Sequence, residues 1–402
     1  MREGWEKITM LEACDLITCG VAARPKYVDE GVPFLSAKNV KEGKIIYEGF
    51  NCITEENHQE LTKKNKPLVG DILYTRVGSY GEAAVIEEDI EFSVFVSLTL
   101  IKPKKELLNS YFLKYYLNSH EVKTLAKNSI TSSGVGNLNV GTVRKFPIPI
   151  PPLQEQKQIV ALLDKAFTAI DQAKANISTN IANAKELFQS KLNDIFSQKG
   201  DGWKEKTLGE VASYDKTRYS LADKPYVGLE DIESNSGKFL GNQEAREVKS
   251  STFQFDNRHV LYGRLRPYLN KVLVPEFLGH CSTEIFPILP NKELLREFLF
   301  YWLLTPITVE KINATWTGAR MPRANMNEVI NFSLPIPSIK IQQQTSEELT
   351  ILKKNTDTII SNYELKIDSI EELKKSILQK AFAGELTNQS VVGSNEFAVN
   401  IE

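Results

Sequence analysis

The sequence contains the same pattern twice, and this duplication constrains the fold more than any other feature. The first copy opens with GWEKITMLEAC from Gly4, and the second copy opens with GWKEKTLGEVA from Gly202. Each copy closes with a similar long segment, AKELFQSKLNDIF ending at Phe196 and IEELKKSILQKAF ending at Phe382. A chain of 402 residues has room for two such units, each with a core of its own.

The distance in sequence between matching residues changes along the repeat. It is 198 at the opening tryptophans, Trp5 and Trp203, and 188 where LYTRVGSY from Leu73 matches LYGRLRPY from Leu261. It is 186 from FPIPIPPLQEQ onwards, through the whole of the long segment. The first parts of the two copies therefore differ in their loops, whereas the long segments keep their length.

The first part of each copy predicts a small domain of strands and helices. In the first copy, β-branched and aromatic runs separated by Gly, Pro and Asn predict strands at 32–40, 71–77, 83–86 and 92–102. Apolar residues at helical spacing over 107–127 predict one or two helices. A Gly/Ser/Asn loop follows, and then the run PIPIPPL, which keeps the chain extended until Pro152.

The long segment of each copy predicts a coiled-coil helix. From Ile159 apolar residues recur at alternating steps of four and three, and a four–four step after Ile177 forms a stutter. The second copy repeats the scheme, with a seam formed by Leu349, Leu352, Thr356, Ile359, Tyr363, Ile367, Ile370 and Leu378. A helix of about 35–40 residues would span about 50–60 Å. Since so narrow a stripe does not stabilise a lone helix, we expect the two helices to pair, antiparallel if the domains lie at opposite ends.

These patterns predict an α+β fold: two tandem α/β domains, each followed by a long helix, with the helices paired as an antiparallel coiled coil. We place the boundaries at 1–152 for the first domain, 153–199 for its helix, 200–338 for the second domain, 339–387 for its helix and 388–402 for a flexible tail.

Composition and charge limit what the chain does. The net charge is −2, and a lone protein that grips nucleic acid nonspecifically would be basic, so DNA binding would need local cationic loops or a larger complex. The sequence has no apolar run long enough to cross a membrane, no signal peptide and too few cysteines for a disulfide framework. We therefore expect a cytoplasmic protein.

Motifs that would indicate an enzyme are missing from the sequence. It contains no GxGxxG after a strand, no GxxxxGK[ST], no HExxH, no GxSxG and no DPPY-type methyltransferase motif. Cys14 and Cys19 have no second cysteine pair or histidine cluster with which to hold a metal. The sequence predicts a binding protein with no catalytic residues and no metal site.

Three segments carry a resemblance to a known family. The run GNLNVGTVRKFPIPIPPLQEQKQIVALLDKAFTAID from Gly136, the helix ending in KELFQSKLNDIF and the C-terminal ELKKSILQKAFAGEL resemble the conserved regions of the specificity (S) subunit of type I restriction–modification systems. The resemblance covers nearly the whole chain. The second copy departs from the PLQEQ motif, because Ile341 stands where the first copy has Glu155.

The resemblance implies a DNA-reading subunit without catalysis of its own. Each recognition domain of such a subunit reads one half of a two-part target in double-stranded DNA, and the paired helices set the spacing. Two methyltransferase (M) subunits dock on the helices, and a restriction (R) subunit joins some complexes. S-adenosylmethionine and ATP with Mg²⁺ belong to those partners, so this chain would need no cofactor. Half-sites one DNA turn apart, about 34 Å, are within reach of such helices.

Readout of bases requires polar and cationic side chains on loops, and two loops in each copy provide them. In the first copy the predicted DNA contacts are Thr75, Arg76, Ser79, Tyr80, Ser132, Ser133, Asn137 and Asn139. In the second copy they are Arg264, Arg266, Tyr268, Asn270, Lys271, Arg320, Arg323 and Asn325. A structural ion pair at a strand end explains Arg76 equally well, since Arg264 matches it in the repeat. Lys38 and Asn39 are weaker candidates, because a solvated turn explains them as well.

Two alternatives remain open at this point. The chain could serve a system that only methylates and does not cleave. It could also be a coiled-coil adaptor whose globular domains bind protein without sequence-specific DNA binding, which the near-neutral charge would favour. The target sequence and the spacer length do not follow from the residues.

Overall fold

The computed structural model describes most of the chain, and the predicted tail at 388–402 lies outside the described part. The described residues are 2–21, 25–78, 80–130, 136–198, 200, 202–219, 221, 223–318 and 320–387.

The first copy consists of short strands and helices followed by one long helix. Its strands are β1 (Glu6–Thr9), β2 (Cys14–Cys19), β3 (Tyr27–Val28), β4 (Val32–Leu35), β5 (Val40–Lys41), β6 (Lys44–Ile45), β7 (Asn51–Ile53), β8 (Ile72–Thr75), β9 (Ala83–Val85), β10 (Ser93–Val94), β11 (Leu98–Pro103) and β12 (Pro147–Ile150). Its helices are α1 (Met10–Ala13), α2 (Glu55–Thr62), α3 (Ser110–Leu117), α4 (His120–Asn128), α5 (Val140–Arg144) and α6 (Leu153–Ser197).

The second copy repeats this order with fewer strands. Its strands are β13 (Lys204–Thr207), β14 (Ala212–Tyr214), β15 (Arg218–Tyr219), β16 (Tyr226–Val227), β17 (Thr252–Phe255), β18 (Val260–Gly263), β19 (Val272–Leu273), β20 (Gly279–Ser282), β21 (Ile285–Pro290) and β22 (Ser333–Ile336). Its helices are α7 (Leu208–Val211), α8 (Arg296–Leu304), α9 (Pro306–Ala314), α10 (Met326–Val329) and α11 (Ile339–Ala383).

Two sheets are the same in both copies. The four-stranded antiparallel sheet has the order β2-β11-β8-β9 in the first copy and β14-β21-β18-β19 in the second. A two-stranded ribbon pairs the opening strand of each copy with its proline run, β1 with β12 and β13 with β22. In a two-stranded ribbon the prolines lie on an edge, where a missing N–H is tolerated. The ribbon brings the end of each domain back to its beginning, just before the long helix.

The second four-stranded sheet of each domain differs between the copies. Its order is β10-β4-β7-β3 in the first copy and β15-β17-β20-β16 in the second. Both copies keep one parallel pair, β4 with β10 in the first copy and β16 with β20 in the second. The third strand pairs differently: β7 pairs with β4, whereas β17 pairs with β20. This is the divergence that the changing distance between matching residues predicts.

Two predicted strands of the first copy are shorter than expected. The strand predicted at 32–40 ends at Leu35, because the side chain of Asn39 accepts a hydrogen bond from Ser36 N at 3.1 Å and donates to Ile46 O at 3.1 Å. These bonds hold a 3₁₀ turn in place of a strand. A turn also divides the strand predicted at 92–102 into β10 and β11.

The long helices are equal in length, at 45 residues each. Helix α6 begins directly after Pro152, as predicted, and each helix extends over about 68 Å at 1.5 Å per residue. Both are longer than the predicted 35–40 residues. The chain forms two compact units, 1–176 with 366–402 and 177–365, so each long helix belongs partly to one unit and partly to the other.

Within each compact unit the two helices pack against each other in opposite directions. In the first unit Lys374 Nζ lies 4.9 Å from the ring centre of Phe167, and Lys174 pairs with Glu371. In the second unit Phe188 and Leu349 share one core. The predicted antiparallel pairing is confirmed.

One predicted seam residue is wrong. Ile359 is exposed, and the neighbouring Ile360 is partly buried together with Thr356 and Tyr363. The seam therefore steps by four and then by three at this point. Helical periodicity allows either isoleucine, and the sequence pattern alone does not choose between them.

Candidate nucleic-acid interface

The two predicted contact loops of the first copy lie side by side. Val77, in the turn after β8, forms a β-bridge with Asn137, in the loop before α5. Leu138 N donates a hydrogen bond to Arg76 O at 2.8 Å. The ring of Tyr80 packs so close to the loop that a Cβ on Gly136 would lie 3.0 Å from it. The described parts of the two loops therefore form one surface.

The same pairing occurs in the second copy. Leu265 forms a β-bridge with Arg323, and Ala324 N donates to Arg264 O at 2.8 Å. The first of these loops lies 188 residues after its counterpart and the second 186 residues after. The scaffold that pairs the loops is thus kept, although their sequences differ.

Arg76 is a support for this surface. It is buried, and its guanidinium donates to Leu138 O at 2.9 Å, to Val96 O at 3.2 Å and to Asn137 Oδ1 at 3.0 Å. Thr75 is also buried, and its hydroxyl accepts a hydrogen bond from a backbone N–H. Both side chains hold the loop, so their predicted base contacts would need the loop to open.

Arg264 and Arg323 share one carboxylate in the second copy. Glu284 accepts a bond from Arg264 Nε at 2.9 Å and pairs with Arg323 Nη2 at 2.9 Å. Burial alone would raise the pKa of Glu284, but the hydrogen bonds from Arg323 and Arg264 outweigh it and hold the pKa below its ordinary value. These two arginines therefore brace the paired loops, as Arg76 does in the first copy.

Four further predicted contacts are engaged within the protein. Asn270 is buried and donates to Leu303 O at 3.1 Å, and Lys271 Nζ donates to Leu229 O at 2.6 Å. Two others cap helices: Asn139 at the start of α5 and Asn325 at the start of α10. Their side chains accept backbone N–H groups, which is the usual role of Asn at this position.

Three predicted contacts of the second copy point to solvent, namely Arg266, Tyr268 and Arg320. Among the residues that the structure describes, neither Arg266 nor Arg320 has a side-chain hydrogen bond or an ion pair. In the first copy Asn137 is exposed and Tyr80 is partly exposed. The predicted contacts Ser79, Ser132 and Ser133 lie outside the described residues.

Sequence reasoning missed two exposed apolar side chains in the same loop of the second copy. Trp316 and Met321 lie on either side of Gly318, and both are about half exposed. A signal was present, since a tryptophan and a methionine in a Gly/Arg-rich loop belong to no helical or strand pattern.

The PLQEQ motif holds the long helix to its domain. Gln156 is fully buried, accepts from Asn109 N at 2.8 Å and donates to Leu107 O at 2.9 Å. Gln342 makes the matching bonds in the second copy, including one from Leu295 N at 2.9 Å. The glutamine is the part of the motif that both copies keep, and it fixes where each helix leaves its domain.

Glu155 of the motif has a role in the first copy alone. It accepts hydrogen bonds from Arg2 Nη1 at 2.5 Å, Trp5 Nε1 at 3.2 Å and Thr387 Oγ1 at 2.5 Å. It therefore ties the end of α11 to the start of the chain. Ile341 cannot do this, and in the second copy the peptide chain itself makes the corresponding connection.

One cluster in the described part of the chain has the composition of a metal site. Donor atoms of Glu55, His58 and Glu91 lie within 4.8 Å of one another. Glu91 is paired with Lys66, and His58 Nδ1 lies 2.9 Å from Ser93 Oγ, so these groups already partner one another or their neighbours. The expected absence of a metal stays a prediction. None of the described helices is both long enough and apolar enough to cross a membrane.

Fold and site together define a class of two-part recognition proteins, in which two domains of one scaffold present different paired loops and are joined by antiparallel helices. Comparison with known proteins identifies the family. The type I restriction modification DNA specificity domain matches residues 2–182 and 200–369. The chain belongs to this family and contains its domain twice.

Individual relatives agree with this assignment. The EcoDI specificity subunit of Escherichia coli is 24% identical over 339 residues, which cover 74% of each chain. The putative MjaX specificity subunit of Methanocaldococcus jannaschii is 24% identical over 412 residues, 96% of this chain and 94% of the relative.

Solved structures show the same fold at low sequence identity. A chain from a structure of type I restriction–modification complex assembly has a TM-score of 0.78 and 17% identity, covering 96% of this chain and 99% of that one. The HsdS subunit from Thermoanaerobacter tengcongensis has a TM-score of 0.58 and 16% identity, covering 96% of this chain and 98% of that one.

Proposed function

We propose that the chain is the DNA specificity subunit of a type I restriction–modification complex. Each domain reads one half of a two-part target in double-stranded DNA, and the paired helices set the distance between the halves. The observation that carries this proposal is a contrast between the two copies. Their scaffold and the length of their helices, 45 residues each, are the same, whereas the sequences of their loops differ. The family match supports it.

Binding of DNA by this chain relies on its partners. The net charge of −2 gives little long-range attraction for a polyanion, and several arginines of the loops are used internally. Methyltransferase subunits would complete the enclosure of the duplex. Methylation and cleavage belong to the M and R subunits in this proposal, together with S-adenosylmethionine, ATP and Mg²⁺, and the assembly works in the cytoplasm.

Two matching leucines suit the docking of two copies of one M subunit. Leu187 on α6 and Leu373 on α11 occupy the same place in the repeat, 186 residues apart, and are 66% and 51% exposed. A single exposed leucine is ordinary on a protein surface, but the recurrence of one at the same place on both helices is not explained by chance exposure alone. Two equal partners need the same surface twice, and this pair provides it.

The docking proposal has a matched control. Leu187→Asp alone and Leu373→Asp alone should each reduce the number of bound M subunits from two to one, and the double variant should bind none. Ile351 is similarly exposed, at 63%, but its counterpart in the first helix is Lys165, so Ile351→Asp should change nothing. Native mass spectrometry of the purified complex counts the subunits. An equal effect of Ile351→Asp would overturn the assignment.

The main proposal is tested with the chain purified together with its M subunits. The motif is first read from methylated adenines in the source genome, and gel shifts at moderate salt then compare a duplex carrying it with duplexes in which one half or both halves are scrambled. We expect tight binding of the intact motif, weaker binding when either half is changed and the weakest binding when both are changed. Equal binding of all duplexes would refute DNA specificity and leave the adaptor alternative.

A further inference from the structure

The second domain carries a short hairpin with two exposed apolar side chains. Thr317 and Arg323 exchange backbone hydrogen bonds at 3.0 and 3.1 Å, which closes a hairpin between them. Trp316 lies immediately before the hairpin and is 50% exposed, and Met321 lies near its tip and is also exposed. Tryptophan is a large side chain that is usually well buried, so its exposure beside this hairpin requires an explanation.

A second loop adds cations and another ring to the same place. Arg266 N donates to Pro322 O at 2.7 Å, which sets this turn directly against the hairpin. Tyr268 follows two residues later and is exposed. With Arg320 on the hairpin itself, two exposed arginines flank the apolar side chains.

The hairpin is held from beneath by the shared carboxylate. Glu284 pairs with both Arg264 and Arg323, and this pairing fixes the two loops to each other and to the sheet. The base of the hairpin is therefore tied to the neighbouring loop and to the sheet.

The repeat indicates which kind of ligand the exposed side chains of this hairpin bind. An M subunit that docks twice needs the same surface in both copies, as Leu187 and Leu373 provide. The exposed residues of this hairpin instead differ between the copies. Trp316, Arg320 and Met321 stand where the first copy has isoleucine, glycine and valine, at 130, 134 and 135. The ligand that differs between the two halves of the complex is the DNA sequence. Arg266 and Arg320, which are exposed and have no side-chain partner in the described part of the chain, match its phosphates.

On the basis of the proposed function, we propose that Trp316 and Met321 insert into the DNA and unstack one base step of the second half-site, with Arg266 and Arg320 on the flanking phosphates. Apolar wedges of this kind are used by proteins that deform the duplex. The first domain lacks the tryptophan, so the two half-sites would be read differently: the second partly through the deformability of the base step and the first without this wedge.

Tryptophan quenching provides one test. Trp5 and Trp302 are buried and Trp203 is partly buried, so Trp316 is the tryptophan of this chain most open to acrylamide. The quenching difference between the wild-type S–M complex and its Trp316→Phe variant isolates this side chain. We expect the difference to disappear when a duplex carrying the genome-derived motif is added. A difference that persists in the DNA complex would overturn the insertion.

Permanganate reactivity of unstacked thymines provides the second test, with 2-aminopurine fluorescence for half-sites that offer adenines instead. We expect a reactive base step in the second half-site of the wild-type complex. Trp316→Ala should abolish this reactivity and lower the affinity for DNA by roughly 5- to 150-fold, which is the range for one base–aromatic stack. Leu278→Ala, at a residue of the same domain that is 55% exposed, should keep both. Met321→Ala gives a milder variant if Trp316→Ala does not fold.

Other outcomes separate this inference from the proposed function. A base flipped by the M subunits would also give a signal, but in both half-sites, and Trp316→Ala would leave that signal unchanged. If no other signal were found, the wedge would be refuted. Loss of M subunits in Trp316→Ala would show that the hairpin contacts protein, and this would also refute the wedge. Sequence-selective binding with intact stacking throughout would refute the wedge alone, whereas nonselective binding by the wild type would refute the proposed function itself.

Discussion

Arg76 and Arg264 occupy the same place in the repeat but are held by different partners. Arg76 donates to the backbone oxygens of Leu138 and Val96, whereas Arg264 pairs with Glu284. In both copies the guanidinium joins the turn after a strand of the main sheet to neighbouring segments. The same residue therefore supports the loops in both domains, and the solvent-facing side chains around it are left to vary.

Substitution of Arg76 should show whether this side chain supports the loops or contacts DNA. Arg76→Ala leaves buried backbone acceptors without donors, and we expect the free energy of unfolding to fall by about 1–3 kcal/mol. Arg320→Ala should leave stability unchanged and weaken DNA binding with a smaller salt dependence, because the proposed phosphate contact of the second domain is lost. Urea unfolding, and gel shifts at several salt concentrations with each half-site scrambled, measure the two effects. A stable Arg76→Ala variant that loses the first half-site would make Arg76 a DNA contact.

The pH dependence of stability should reveal the shared carboxylate. The pKa of Glu284 is held below its ordinary value by Arg323 and Arg264, against the effect of burial. Its contribution is therefore fully present above the unfolded pKa of about 4.3 and is lost as pH falls through the lower folded pKa. We expect wild type to be more stable than Glu284→Gln at neutral pH, and the gap to close in acid. A gap independent of pH would contradict the pairing seen here.

At this scale the sequence does not reveal the partners of the side chains in the predicted contact loops. Arginine and asparagine donate equally well to a base, a phosphate or a backbone carbonyl, and only the fold decides which acceptor is near. Asn139 and Asn325 illustrate this, since both were predicted DNA contacts and both cap helices. Trp316 does not follow from the sequence, because readout of bases is expected of polar donors and acceptors.

The long helices are the elements whose limits the sequence defines best. Proline blocks helix formation for the residue before it, so the start of α6 after Pro152 was predictable. Which of two adjacent isoleucines faces the partner helix was not, because that choice depends on the partner. The strand at 32–40 failed for another reason, since the side chain of Asn39 competes locally for the backbone.

A matched insertion should change the spacing and nothing else. Seven residues that continue the seam, inserted between 176 and 177 and between 365 and 366, fall where the compact units divide. They lengthen each helix by about 10.5 Å, or about three base pairs of DNA. We expect methylated motifs with unchanged halves and a spacer about three base pairs longer.

The control for this experiment is an insertion in one helix alone. It shifts one half of the pairing against the other, so we expect the variant to lose binding of the intact motif. Sequencing of methylated adenines reads both outcomes. An altered half-site sequence in the matched variant would contradict the separation of reading from spacing.

At the scale of the whole molecule, the two copies are joined at both of their ends. The peptide chain connects the end of α6 to the second domain. In the first unit Thr387, beyond α11, donates to Glu155 at 2.5 Å, and Arg2 donates to the same carboxylate at 2.5 Å. Arg2 and Thr387 therefore meet at Glu155, where the second copy has a continuous peptide chain.

Replacement of one domain by a copy of the other tests the central claim most directly. Residues 202–337 would be exchanged for a second copy of residues 4–151, so that the ribbon and the contacts of the buried glutamine are reproduced at both joins. The methylated motif of this variant, assembled with its M subunits, is then sequenced. Two identical readers on antiparallel helices predict an inverted repeat of the first half-site with the original spacer. An unchanged asymmetric motif, or a folded complex that methylates without any two-part motif, would contradict the account.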